Sequence, residues 1–414
     1  MLATPDFVPA TDAADYDRHA VALADHHSYP ETVLAAGGGA TAFRPPGFPV
    51  ALAAVYAVTG TQSEKTRWTA GRILEVLLGT LTVGLIMLLA ERFWGRRHAL
   101  AAGLIAAVYP ALIVVGSSLM AESLYIPLVL GAVLAALHYR DLAAPSPNVK
   151  ERGPSPYRWL VGAGVLAGLA ALTRSNGVIL LLPLVLLVWT GRPRWSRVAL
   201  KAPALLLAVF ALTLLPWTIR NGSEFDAFVP ISDQSGYALA GTFNDQARYH
   251  APFKAFWLPP SAVPTLKPLV DDRSLDEVEL SGKLQDKGVD YAKDHPAYVL
   301  EVVGINILRL LHLTGTGVER FAAPLQGYPT NLAVWSVYGF WLLALLAIAG
   351  AFTAAARRLP RALWLAPLVL GFSSVLFLGI GRYRVPADPF LILLAAAAVI
   401  AWLERRRAGV SSPQ

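Results

Sequence analysis

Three acidic residues stand close together near the start of the chain, in Asp12-Ala13-Ala14-Asp15-Tyr16-Asp17-Arg18-His19-Ala20, ahead of Phe43-Arg44-Pro45-Pro46-Gly47-Phe48-Pro49. Carboxylates grouped ahead of the first long apolar run of a membrane chain mark a charged site at the water–lipid boundary. On a helix, Asp12, Tyr16 and Ala20 share one face and Asp15 points elsewhere. Asp12 is therefore the expected site acid, Asp15 the second, and Asp17 a solvated helix charge. Glu122, in Leu119-Met120-Ala121-Glu122-Ser123-Leu124, begins an apolar run with no basic residue within a helical turn. A carboxylate at that depth needs a partner from elsewhere in the chain or a bound cation.

The elements that position these groups follow from composition. The chain has 414 residues, 55% hydrophobic and 15% charged, with a mean hydropathy of +0.49. Apolar runs long enough for about 30 Å of hydrocarbon recur at 72–91, 98–116, 120–138, 158–173, 176–190, 199–217, 332–353, 362–380 and 386–403. The expected class is an all-α polytopic membrane protein. With no cysteine there is no disulfide framework, thiolate metal site or Cys nucleophile. The net charge of +7 is scattered through inter-helix loops, which argues against nucleic acid as a partner.

Short loops rich in arginine mark the expected cytoplasmic side: Arg92, Arg96, Arg97; Arg140, Lys150, Arg152, Arg158; Arg192, Arg194, Arg197; Arg357, Arg358, Arg361; and Arg405, Arg406, Arg407. Alternation leaves 1–70, 218–296 and the turns near 117–122, 174–176 and 381–385 outside. The divisions expected are 1–70 (a first external loop with an interfacial helix near 45–58), 71–217 (membrane helices), 218–331 (a large external loop) and 332–414 (membrane helices and tail). A full crossing at 297–313 would break the alternation, so that helix is expected to lie in the interface or re-enter, with Arg309 and His312 reaching headgroups. No apolar helix precedes Asp12, so a first span is expected upstream.

Against that sidedness some arginines stand out: Arg44, Arg72, Arg174, Arg220 with Asn221, and Arg382-Tyr383-Arg384 all fall on the outer side. A guanidinium binds phosphate oxygens through two parallel hydrogen bonds and stays charged. A polyprenyl phosphate, with its tail in lipid and its headgroup at the interface, fits several converging guanidiniums. His26, His27 and His250 are external but lack metal-ligand spacing and read as loop histidines.

Taken in order, these residues resemble a known family. Asp12…Tyr16…Ala20, Arg44-Pro45-Pro46-Gly47-Phe48-Pro49, an Arg72-led span, Tyr109-Pro110-Ala111, Met120-Ala121-Glu122-Ser123-Leu124, Leu172-Thr173-Arg174 and Arg382-Tyr383-Arg384-Val385-Pro386 are similar to the GT-C superfamily of polyprenyl-phosphate-sugar glycosyltransferases. Within it the likeness is to protein O-mannosyltransferases and the lipid A aminoarabinose transferase, over about 12–403. The resemblance implies a GT-C-like helical bundle whose external loops carry the site. It also implies a polyprenyl-phosphate-linked sugar donor, a protein, lipid or glycan acceptor on the outer face of the cytoplasmic membrane, and inversion at the anomeric carbon. Asp12 maps onto the catalytic acid, the expected general base. Glu122 maps onto the acid at a span start, orienting sugar or acceptor or helping to hold a divalent metal ion, the one cofactor left open. The external arginines are expected to hold the carrier phosphate. Asp12 is followed by Ala13 where the family usually has a second acid, which removes one member of a metal-ligating pair.

The 218–296 segment, with Phe243, Tyr249, Phe253, Phe256 and Trp257 and then a charged stretch from Asp271 to Asp294, suits an acceptor-binding lid or a packing cap. Alternatives from other classes are a lipid-linked sugar transporter or flippase, another outer-face lipid-linked enzyme such as a glycan polymerase or ligase, and a catalytically inactive relative. A transporter would show repeated halves and charges lining a path to both faces; the acids and arginines singled out gather on one.

Overall fold

The computed structural model describes residues 7–143, 155–190, 193 and 195–410, and among these it is helical without strands. Lys150, Arg152, Arg192 and Arg194 lie outside the described residues. The chain begins with α1 (Asp12–His26) and α2 (Gly47–Thr59), then α3 (Glu64–Trp94), α4 (Arg96–Val108), α5 (Pro110–Val115), α6 (Glu122–Ala143), α7 (Tyr157–Thr173), α8 (Leu181–Val188) and α9 (Arg197–Phe225). A middle section holds α10 (Gln234–Thr242), α11 (Lys267–Val270), α12 (Glu277–Asp294), α13 (Pro296–Leu310) and α14 (Gly317–Leu325). The chain closes with α15 (Thr330–Ala351), α16 (Arg361–Gly371) and α17 (Asp388–Val410), the last continuing a 3₁₀ turn over Gly381–Ala387.

Five of these helical stretches are long and apolar enough to cross a membrane: Glu64–Trp94, Glu122–Ala143, Arg197–Phe225, Thr330–Ala351 and Gly381–Arg407. Of the remaining apolar runs, 158–173 forms α7 over its whole length, while others are cut short for local reasons. The 98–116 run divides at Tyr109-Pro110, where proline has no N–H to continue the ladder. The 362–380 run stops at Gly371, and just beyond it the Ser373 hydroxyl returns to the Leu370 carbonyl at 3.0 Å. The 297–313 run yields α13, whose 15 residues fall short of a crossing. Arg309 and His312 do not reach outward as expected. Both are buried, Arg309 donating to the Lys254 and Ala255 carbonyls and His312 packing on the Phe340 ring.

Burial separates two kinds of long helix. Within the 18-residue apolar window of each, the Glu122–Ala143 and Gly381–Arg407 stretches are 78% buried, against 28–33% for the other three. α3, α9 and α15 therefore form the rim, presenting Leu77, Leu81, Leu212, Ile219, Leu342 and Leu345 outward as a lipid-facing belt. The two central helices share one property: each starts at the same end of the bundle, with Glu122 at the head of one and Arg382 at the head of the other.

α1 and α2 pack on that end through Tyr16, Phe48, Leu52 and Tyr56, in one cluster with Leu119, Met120 and Ala121. The middle section builds on the same side: α10 packs on α12, whose start carries an Asp276–Glu279 capping box. Phe253, Phe256 and Phe321 form an aromatic trio with ring centroids 5.6–5.8 Å apart, while Tyr249 stays exposed.

Candidate active site

Thr11 precedes the first turn of α1, and Asp12 opens it with its side chain turned inward. One Asp12 oxygen accepts from Arg44 at 2.8 Å and the other from Arg382 at 2.8 Å. The Arg382 Nε donates to Glu122, which also receives Arg174. The third Arg382 nitrogen reaches the Gln326 amide oxygen at 2.9 Å. Arg44, Asp12, Arg382, Glu122 and Arg174 thus form one continuous chain of ion pairs, drawn from positions up to 370 residues apart.

Each member is held by a local device. Gly47 lets the start of α2 meet the end of α7, since a Cβ there would lie 2.6 Å from the Thr173 hydroxyl and 2.9 Å from the Leu172 carbonyl; this brings the Arg44 segment beside Arg174. Gly381 lets the turn before Arg382 press on His312 and donate to Glu319 at 3.0 Å. Glu122 depends on an acid that sequence reasoning missed. Glu75, fully buried in α3, accepts the Leu119 and Met120 backbone N–H groups at 2.9 and 2.8 Å. Leu119 sits at φ 52, a strained conformation for a side chain of its bulk. The Glu75 carboxylate holds that turn, and Glu122 follows from it. An acid four residues into the 72–91 apolar run was the available signal.

The other expected residues fall into groups. Asp15 does not point away as the face argument had it: at i+3 from Asp12 it accepts Arg44 Nε at 2.7 Å and Arg18 at 2.9 Å. Asp17 is not solvated; it is buried, paired with Arg67 at 2.9 Å and accepting the Tyr56 hydroxyl at 2.9 Å. Tyr383 lies between two guanidiniums, with Arg174 and Arg382 carbons 5.1 and 5.5 Å from its ring centroid. Arg384 turns from this chain into the core, bound to Asp388 at 3.0 Å and the Leu310 carbonyl at 2.6 Å, with its carbon 3.5 Å from the Phe340 centroid.

Arg72 is buried near the Phe7 ring, apart from the chain of ion pairs. Arg220 and Asn221 also stay apart, at the end of α9. Arg220 donates to the Thr41 carbonyl at 2.8 Å and Asn221 to that of Val229 at 2.9 Å, so both tie loops together. His26, the last residue of α1, His27 and His250 are all exposed.

The electrostatics are lopsided. Burial pushes the Asp12 carboxyl up, but Arg44 and Arg382 outweigh it and hold the group below the ordinary carboxylate range. Asp15 is also depressed, burial being overcome by His19 and Arg44. Burial raises the Tyr16 hydroxyl to about 12. His312 and Glu319, 3.6 Å apart, are not an ion pair: burial and Arg384 lower His312 to about 3, while burial raises Glu319. One Glu122 oxygen is buried with no hydrogen-bond partner. Among the described residues no group of three or more His, Asp or Glu stands together as a metal site. The donor set does not suit a divalent cation either, because Arg382 lies between the Asp12 and Glu122 carboxylates.

The archaeal oligosaccharyltransferase AglB from Archaeoglobus fulgidus, in complex with an inhibitory peptide and a dolichol-phosphate, superimposes over 100% of this chain with a TM-score of 0.58 at 15% identity. The chain has a GT-C fold. Residues 43–219 match the family described as dolichyl-phosphate-mannose-protein mannosyltransferase. The chain spans about half the length of the oligosaccharyltransferase, 50% of it. The same Archaeoglobus fulgidus enzyme tethered to an acceptor peptide with the NVT sequon gives a TM-score of 0.57 at 14% identity, with coverage of 98% and 48%. ArnT from Cupriavidus metallidurans bound to undecaprenyl phosphate gives 0.42 at 17% identity, with coverage of 95% and 74%. No curated protein matches the chain.

Proposed function

We propose that this chain is a membrane glycosyltransferase that moves a sugar from a polyprenyl-phosphate carrier to an acceptor hydroxyl or amine on the outer face of the cytoplasmic membrane, with inversion and with Asp12 as general base. The observation that carries the reading is the ion-pair chain Arg44–Asp12–Arg382–Glu122–Arg174 at the head of both central helices. The neighbours bound to dolichol-phosphate and to peptide support the donor and acceptor classes.

The charges fit the reaction. Arg18, Arg44, Arg174 and Arg382 face Asp12, Asp15 and Glu122, four cations against three anions, so the cluster carries one net positive charge. A sugar phosphodiester carries one negative charge. In transfer, the acceptor oxygen or nitrogen bonds to the anomeric carbon as the carbon–oxygen bond to phosphate breaks, and the electron pair leaves with the phosphate. The acceptor proton passes to Asp12, which takes the cluster to two positive charges. The departing phosphate monoester then carries a charge approaching −2, so the cluster is matched to the donor before transfer and to the leaving group after it.

Asp12 held by two arginines is a weak base. The donor phosphate competes for those guanidiniums and, in taking them, restores the basicity that Asp12 needs. A single displacement of this kind inverts the anomeric centre.

The test is sugar transfer from radiolabelled polyprenyl-phosphate hexose in membranes holding wild type, Asp12→Asn or Arg382→Ala. Asp12→Asn is expected to lose at least about a hundredfold in rate while still binding donor, and Arg382→Ala to weaken donor binding. Full activity in both would overturn the assignment. Donor binding without transfer across a panel of sugars would instead favour a flippase or an inactive relative.

A further inference from the structure

At the opposite end of the bundle an open basin of about 880 Å³ lies between the ends of α3, α6 and α8 and the α15–α16 connection. Eighteen residues of α6 separate Glu122 from Arg140 on its wall, about 27 Å at helical rise. Arg92, Arg140, Arg357, Arg358 and Arg361 line it, with Asp141 as the one carboxylate among the described residues. That carboxylate is already engaged: Arg92 pairs with it and donates to the Leu137 carbonyl at 3.0 Å. The Trp94 indole donates to the Ala355 carbonyl at 2.8 Å, which pins the turn bearing Arg357 and Arg358 against the end of α3.

Membrane sidedness explains why these residues are basic. It does not require guanidiniums from three separate elements to converge on one cavity, where like charges repel within a Debye length. We propose that the basin is a binding site for a phosphate-bearing anion, occupied by the headgroup of an anionic membrane lipid. Two features favour a lipid over free phosphate. Part of the wall is apolar and aromatic, from Phe93, Leu186 and Trp189, which suits the start of an acyl chain. The basin also sits at the ends of bundle helices, where basic inter-helix pockets meet headgroups. This inference is independent of the reaction proposed for the other end.

The test uses the full chain in phosphatidylcholine nanodiscs doped with phosphatidylglycerol, with native mass spectrometry counting the phosphatidylglycerol that stays bound. Arg357→Ala/Arg358→Ala/Arg361→Ala alters exposed side chains, and is expected to cut retention about tenfold or more. Arg405→Ala/Arg407→Ala removes charges from the α17 end, outside the basin, and is expected to leave retention unchanged. Equal losses in both variants would mean diffuse attraction and overturn the site. Equal retention in wild type and the triple variant would overturn it too. In a third arm, undoped nanodiscs receive inorganic phosphate. Protection of the protein against unfolding there, lost in the triple variant, would overturn the lipid assignment in favour of a soluble anion.

Discussion

Glu122 offers the sharpest test of the ion-pair chain, because its two guanidinium partners are unequally supported. Arg382 keeps Asp12 and Gln326 if Glu122 is neutralised, but Glu122 is the one carboxylate paired with Arg174 among the described residues. Glu122 is fully buried and the Arg174 side chain is 10% exposed, so little solvent screens the loss. Removing one partner of a buried pair costs roughly 3–5 kcal/mol. Glu122→Gln retains an acceptor oxygen for Arg382, which puts it at the lower end, about 3 kcal/mol. Arg174→Met leaves Glu122 with Arg382 and is expected to cost about 2 kcal/mol. The double variant leaves no stranded charge, so it should also lie about 2 kcal/mol below wild type, against about 5 if the sites were independent. That coupling, about 3 kcal/mol, is measured by unfolding the four proteins in detergent–SDS mixtures and following tryptophan fluorescence. Additivity to within about 0.5 kcal/mol would refute the pairing and the burial argument with it.

Other predictions follow from neighbouring groups. Glu75→Gln keeps one acceptor for the two N–H groups of Leu119 and Met120, so one is stranded at about 1–2 kcal/mol, and faster amide exchange at both residues would register it. The Asp12 carboxyl is depressed in the folded chain relative to its ordinary 3.8; its contribution is present above that value and lost as pH falls below it. Acid unfolding of wild type should therefore begin near pH 4 and be blunted in Asp12→Asn. Asp233 has the opposite sign: burial first, and then Glu277, raise it from 3.8 to about 8. The folded chain then holds a proton that the unfolded chain releases, so stability falls as pH rises through that window. Asp233→Asn should flatten the fall, read as slower amide exchange in α10 and α12 at pH 8.

Much of the candidate site was legible because its residues break the rules of their surroundings. Glu122 stands alone among apolar neighbours, Arg174 and Arg382 occupy tight turns between apolar runs, and Asp12 lies ahead of the first long one. Composition and run length likewise gave the helical membrane class. What could not be read was pairing, because no local pattern links residue 12 to 382. Asp15 was misjudged because helical spacing says which face a side chain leaves, and the reach of Arg44 across from another segment decided its partner. Arg384, two residues from Arg382, looked equivalent, yet the 3₁₀ turn sends it to Asp388 and Phe340. Span length failed where serine or proline chemistry stopped a helix inside an apolar run.

The pairing of Glu122 with Arg174 also has a meaning in time. Both residues flank the α6–α7 hairpin, which leaves the ribosome well before α17. Each would enter the membrane boundary as an expensive lone charge, and each finds its counter-charge on the hairpin itself. Arg382 arrives more than two hundred residues later and completes the chain to Asp12 only when the last helix docks. Docking of α17 is therefore the step that joins the hairpin pair to Asp12 and makes the ion-pair chain continuous.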